Sequence, residues 1–291
     1  MHKIGIATYH KLPELSVDDQ LLRRELEARG HQIFPVIWND ESIQYTQFDL
    51  LVIRSCWDYY LQLPEFLGWV KKLRDLGTRL MNPPETVLWN SNKAYLRELE
   101  AAGVRIPRTH WMMGLNPGQQ ELSTFINESG WKKAVLKPLV SAGAHQTFVI
   151  TSDKASAAPS LSGEYMLQEF LPEIQTAGEY SFFYFGGAFS HAVVKKPKSG
   201  DFRVQPEHGG LTTPFYPCAR QLTQAQEILK KVPVKFSYAR VDTVERGEHL
   251  LLMEIELIEP NLFFGTSPGS EKKFADMIEK ELLVKPIGQT K

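Results

Sequence analysis

Two glutamates stand two residues apart in the apolar run Leu250-Leu251-Leu252-Met253-Glu254-Ile255-Glu256. Side chains two apart on a strand share a face, so Glu254 and Glu256 point the same way. Arg240-Val241-Asp242-Thr243-Val244 precedes them across the polar stretch Glu245-Arg246-Gly247-Glu248, which predicts an antiparallel hairpin with Asp242 close to the pair. Carboxylates on an apolar strand are costly to bury unless cations neutralise them, and hard oxygen donors suit Mg²⁺. The bland alternative is a solvated face beside an edge strand, which the apolar stretch Leu250 to Met253 argues against. A second pair, Glu259-x-Asn261, contains Pro260, which lacks the N–H a central ladder needs. The metal register is therefore expected at Asp242, Glu254 and Glu256.

Another chemical feature is Lys137 in Val135-Leu136-Lys137-Pro138, followed by the small-residue loop Ser141-Ala142-Gly143-Ala144. A strand-end lysine beside accessible backbone N–H groups can grip phosphate oxygens. No GxxxxGK[ST] motif or HExxH helix occurs in the chain, and no nucleophile elbow is expected. In Arg54-Ser55-Cys56-Trp57-Asp58, Arg54 could clamp a carboxylate and Asp58 hold an ammonium. Equally, the two could pair and stabilise the loop, with Trp57 packed in a domain interface. His10, His191 and His208 read as surface or interface residues, and Phe182, Phe183 and Phe185 as core. Lys195 and Lys196 read as a solvated strand end, with a phosphate-facing Lys195 as the alternative.

The elements that must position these groups differ between the two halves of the chain. Strands at Lys3 to Ala7, Gln32 to Ile37 and Phe48 to Ile53 alternate with helices at Asp18 to Arg29 and Pro64 to Leu76, which predicts a parallel sheet covered by helices. Ligands of such sheets sit beyond the carboxyl ends of the strands, here at Thr8-Tyr9-His10 and at Arg54 to Asp58. After Pro83-Pro84 a helix is expected from Asn92 towards Gly103. Short strands follow at Ala134 to Leu136, Thr147 to Ile150, Tyr165 to Phe170, Tyr180 to Phe185 and Ser190 to Val194, with Gly186-Gly187 as a hairpin turn. The fold class is thus α/β followed by α+β.

With 291 residues and 43% hydrophobic content the chain can fill two or three small cores. A net charge of −1 without runs of like charge gives no support for nucleic-acid or membrane-surface binding. No apolar run is long enough to span a bilayer or act as a secretory signal, so a cytoplasmic location is expected. Cys56 and Cys218 lie far apart and read as free, buried thiols.

Taken in order, these pieces resemble the ATP-grasp superfamily, and within it bacterial glutathione synthetases and D-cycloserine-forming synthetases. The resemblance implies a Rossmann-like N-terminal substrate domain (1–88), a central lid subdomain (89–165) and a C-terminal catalytic subdomain (166–291), the last two clasping ATP. It implies that Lys93 and Lys137 hold ATP phosphates, that Gln168, Glu169, Phe170 and Leu171 line the adenine, and that Glu179 meets the ribose. Arg203 corresponds to an arginine facing the transferred phosphate, and Arg240 joins it as catalytic. Arg54, Ser55, Asp58 and Asn261 are the expected substrate contacts. Where most of the family has Glu-x-Asn this chain has Glu254-Ile255-Glu256, which keeps oxygen ligands and adds a charge. The implied cofactors are ATP and Mg²⁺, and the implied activity is ligation of a small amino-acid-like carboxylate to an amine through an acyl phosphate. A phosphotransferase on the same fold and a non-catalytic nucleotide-binding module are the alternatives. By analogy a homodimer is expected.

Overall fold

The computed structural model of the chain describes residues 1–112, 119–151, 163–204 and 209–284. Strands β1 (Lys3–Thr8), β2 (Gln32–Ile37) and β3 (Leu50–Ser55) pair in parallel in the order β2-β1-β3. Alternation along these strands feeds two cores. Ile4, Ile6, Leu50 and Val52 meet Leu22 and Leu26 of helix α1 (Val17–Ala28) on one face. Ala7, Leu51 and Ile53 meet Phe66, Val70 and Leu73 of helix α2 (Leu63–Asp75) on the other. Helix α1 starts where the Ser16 hydroxyl accepts from the Asp19 N–H at 3.1 Å, and Asp18 and Asp19 complement its dipole. A side chain at Gly5 would meet Leu51 Cδ1 at 2.6 Å, so the β1–β3 contact needs glycine there.

The next segment departs from expectation. Pro83-Pro84 does more than mark a boundary, because Pro84 fits a first helical turn and opens α3 (Pro84–Asn90). Helix α4 (Tyr95–Ala101) begins later than Asn92, whose Oδ1 accepts from the Ala94 N–H at 2.8 Å and holds a turn instead.

The central sheet is antiparallel, in the order β4-β7-β5-β6, from β4 (Thr109–Met112), β5 (Lys133–Pro138), β6 (Phe148–Thr151) and β7 (Tyr165–Glu169). Leu122 and Ile126 of helix α5 (Gln119–Ser129) cover it. Because β7 pairs with β4 and β5, the expected boundary at 165 falls inside this sheet.

Helix α6 (Glu173–Thr176) leads into the third sheet. That sheet runs β10-β9-β8-β11-β12, from β8 (Glu179–Phe185), β9 (Ala188–Lys196), β10 (Leu211–Phe215), β11 (Tyr238–Arg246) and β12 (His249–Glu256). Its Phe182, Tyr184 and Val241 pack against α4 and against Ala225, Ile228 and Leu229 of helix α7 (Ala219–Lys230). Phe183, Phe185 and Tyr238 share a core with Phe274 and Ile278 of helix α8 (Ser270–Leu283) and with Ile4 and Ile6 of β1.

Strand β12 is an edge strand, but a covered one. Ile255 O accepts from Asn90 Nδ2 (2.8 Å) and the Tyr95 hydroxyl (2.9 Å), while Leu257 N donates to Asn90 Oδ1 (2.7 Å) and Leu252 N to Arg105 O (2.8 Å). Cys56 is buried as expected, whereas Cys218 is exposed because it stands at the N-cap of α7. Among the described residues no helix is long and apolar enough to cross a membrane.

Candidate active site

A cleft of about 630 Å³ is lined by residues from the central and third sheets and from the loops after β1 and β3. Its floor is the β11–β12 hairpin, whose register sets Asp242 opposite Glu254 and Arg240 opposite Glu256. Asp242 is buried and accepts from the Ser181 hydroxyl at 2.6 Å, from Lys195 at 3.1 Å and from Arg240 Nε at 3.0 Å. Burial raises the affinity of Asp242 for a proton, but Arg240 and Lys195 outweigh it and hold the carboxyl well below the usual range. Arg240 also bonds Glu256, and its Nη1 donates to Asn261 O at 3.2 Å. Burial pushes Glu256 up to about 7 against the pull of Arg240, with Glu254 and Asp242 adding to the rise.

Among the described residues no three His, Cys, Asp or Glu side chains are grouped as a ready metal cage. Asp242, expected as a ligand, has its oxygens committed to Ser181, Lys195 and Arg240. Glu254 and Glu256 remain half-buried and face the cleft. Two carboxylates supplemented by phosphate oxygens and water are an ordinary Mg²⁺ donor set, so the pair fits that ion.

At one end of the cleft Lys93 donates to Ser141 O at 2.7 Å and pairs with Glu254 Oε1 at 3.1 Å. Lys137 lies beside it on β5, and removal from solvent lowers its pKa to about 8 despite the pull of Glu254. The loop between β5 and β6 carries Gly143, Ala144 and Gln146 at φ of 58°, 58° and 52°. Left-handed backbone at non-glycine residues is costly and gathers at functional loops.

The opposite end is apolar. Val135, Leu171, Ile174, Val204 and Met253 make a shelf beside Gln168, whose buried Oε1 has no partner among the described residues. Glu169 lines the cleft while its carboxylate is held by Arg108 (3.0 Å) and Arg246 (2.8 Å). Phe170 turns away, its ring under Lys133 Nζ at 5.5 Å, so of the four expected adenine residues this side chain alone does not line the cleft. Glu179 lies at the rim of the shelf, paired with Lys195 at 2.5 Å. A side chain at Gly178 would lie 2.8 Å from Lys195 O, so this approach depends on glycine. Lys195 is therefore no solvated strand end but a buried cation between two carboxylates. Arg203 lines the cleft with its guanidinium folded onto Asp201 at 2.8 Å.

The N-terminal wall differs from the sequence reading. Arg54 and Ser55 are buried beneath it, both bonded to Asp19, at 2.8 Å each. Asp58 is buried too, accepting from Trp38 Nε1 at 2.8 Å. None of the three lines the cleft; Tyr9, Trp57, Tyr59 and Tyr60 do, with Glu259, Asn261 and Phe263. The Trp57 indole donates to Glu259 O at 3.0 Å and joins the wall to the floor. Burial and the carboxylates of Glu256 and Glu254 push Glu259 well above its usual range. His191 is buried, donating to Leu262 O at 2.8 Å and stacked on Phe183. His208 lies outside the described residues.

Comparison with known proteins places this arrangement. The family model described as the D-cycloserine synthetase DcsG N-terminal domain matches residues 4–82. The cycloserine biosynthesis protein DcsG of Streptomyces lavendulae is 24% identical over 270 residues, 84% of this chain and 87% of that one. The crystal structure of D-cycloserine synthetase DcsG superposes with a TM-score of 0.84 at 22% identity, covering 96% of this chain and 99% of that one. A RimK-domain ATP-grasp protein from Sphaerobacter thermophilus superposes with a TM-score of 0.70 at 17% identity, over 95% and 99% of the two chains. The chain has the ATP-grasp fold. The expected fold class is the observed one.

Proposed function

We propose that the chain is an ATP-dependent carboxylate–amine ligase acting in the cytosol on a small amino-acid-like acid. Mg²⁺, when bound at Glu254 and Glu256, would supply charge neutralisation on phosphate oxygens. A carboxylate oxygen of the acid attacks the γ-phosphorus of ATP and ADP leaves. An amine nitrogen then attacks the acyl carbon of the resulting acyl phosphate, phosphate departs, and an amide forms. Lys93, Lys137 and Arg203 meet the phosphate charge, Arg240 keeps Asp242 and Glu256 in place, and Gln168 Oε1 is free to accept from the base. Such chemistry asks the protein mainly for positioning and electrostatics.

The observation carrying this reading is one cleft with cations and paired carboxylates at one end, an apolar shelf with an unpartnered acceptor at the other, and an aromatic wall closing the side. The test uses acid labelled with ¹⁸O in its carboxylate. Transfer of label to inorganic phosphate, dependent on an added amine for release of product, is the expected result. Label-free phosphate, or a stable phosphorylated product without amine, overturns the ligase reading.

A further inference from the structure

We infer that Glu259 receives a positively charged group of the acid substrate, with Tyr9, Trp57 and Tyr60 as its aromatic walls, an assignment that rests on the ligase reading above. Glu259 is only 7% exposed yet lines the cleft. Among the described residues no cation comes within ion-pair distance of it, whereas the neighbouring cations are engaged: Lys93 with Glu254, Lys195 with Glu179 and Asp242, Arg240 with Asp242 and Glu256, Arg203 with Asp201. A buried carboxylate left charged without a partner is costly, so Glu259 becomes charged only when the ligand brings the compensating cation.

Position separates this residue from the metal face. Glu254 and Glu256 lie on β12 beside Lys93 and Arg240, while Glu259 follows the strand and has its carbonyl fixed by Trp57 of the N-terminal wall. The carboxylate acting most strongly on the Tyr59 hydroxyl is likewise Glu259. Tyr60 reaches across to His145 of the phosphate-end loop, ring centroids 5.0 Å apart, so the aromatic wall continues towards the reacting end. Aromatic faces around an acid favour a substituted ammonium over a hydrated metal ion. The N-terminal domain offers the cleft no basic side chain among the described residues, so it has nothing with which to grip a second carboxylate. An acid carrying an ammonium a few bonds from its reacting carboxyl satisfies both conditions.

The test is isothermal titration of the full chain, loaded with Mg²⁺ and a non-hydrolysable ATP analogue, with matched acids differing by one amino group. Alanine is set against propionate and serine against 3-hydroxypropionate, using both enantiomers. The ammonium member should bind roughly tenfold to a hundredfold more tightly, as charge-assisted hydrogen bonds imply. Glu259→Gln should collapse that ratio towards one with affinity for the ATP analogue unchanged, and Tyr60→Leu should lower it in part. A ratio of one across the panel, or a Glu259→Gln protein that keeps the wild-type ratio, overturns the assignment. So does a Glu259→Gln protein whose only change is a raised Mg²⁺ requirement. Ammonium-selective binding without any amine-dependent ADP release leaves the site standing and counts against the ligase reading instead.

Discussion

Lys93 Nζ lies 3.1 Å from Glu254 Oε1, so a lysine suited to phosphate and a carboxylate suited to metal neutralise each other across the cleft. On the proposed ligase reading both change partners when Mg²⁺ and nucleotide arrive together. Lys93→Met should therefore weaken ATP binding and, in nucleotide-free protein, tighten Mn²⁺ binding several-fold by releasing Glu254. Electron paramagnetic resonance of free Mn²⁺ measures the second effect. Unchanged Mn²⁺ affinity would mean that the pair does not guard the metal face.

Lys137 supplies a pH dependence with a definite sign. Its pKa of about 8 in the free protein leaves it charged below that pH and neutral above. ATP phosphates favour the charged form, so nucleotide affinity should be flat below pH 8 and fall by up to tenfold per unit above it. Calorimetry in buffers of different ionisation enthalpy should show proton uptake on ATP binding near pH 8.5. Lys137→Ala should abolish that uptake and weaken binding strongly, with the fold retained.

Arg203 rests on Asp201 in the free protein and lines the cleft. If it turns to the transferring phosphate, Arg203→Ala should lower kcat by roughly a hundredfold while changing KM for ATP much less, the pattern of an interaction made in the transition state. A change confined to KM for the acid would move Arg203 to substrate recognition.

His191 makes stability depend on acidity. Burial lowers its pKa to about 4, below the unfolded value of about 6.5. A depressed folded pKa gives stability that is complete above 6.5 and is lost as pH falls through 4. Urea melts should thus weaken from pH 6.5 to 4. His191→Phe, which keeps the stack on Phe183 but loses the bond to Leu262 O, should be less stable at pH 7 and show a shallower decline.

Local pattern made the scaffold readable. Short apolar runs between helical patterns located β1, β2 and β3, and the strand period of two put Glu254 and Glu256 on one face of β12 before any neighbour was known. What escaped was pairing over distance. Arg54 and Asp58 looked like partners because they are close in sequence, yet Arg54 takes Asp19 from α1 and Asp58 takes Trp38. Trp57 and Glu259 are 202 residues apart, and nothing in either segment announces their bond. The edge position of β12 was hidden because Asn90, Tyr95 and Arg105 cover its backbone, which lets an apolar strand sit at a border. The apolar shelf was missed for a related reason: Val135, Ile174, Val204 and Met253 come from four separate segments and look like ordinary core residues.

The core that joins Ile4, Ile6 and Leu22 to Phe274 and Ile278 of α8 bears on how the chain is made. Translation delivers β1 to β3 and α1 long before α8, which packs against α1. The nascent segment must wait with the apolar flank that α8 covers left bare, so segment 4–82, though it matches a family model by itself, ends without part of its core. Expressed alone it should be insoluble, and supplying α8 in trans as a separate peptide should rescue it.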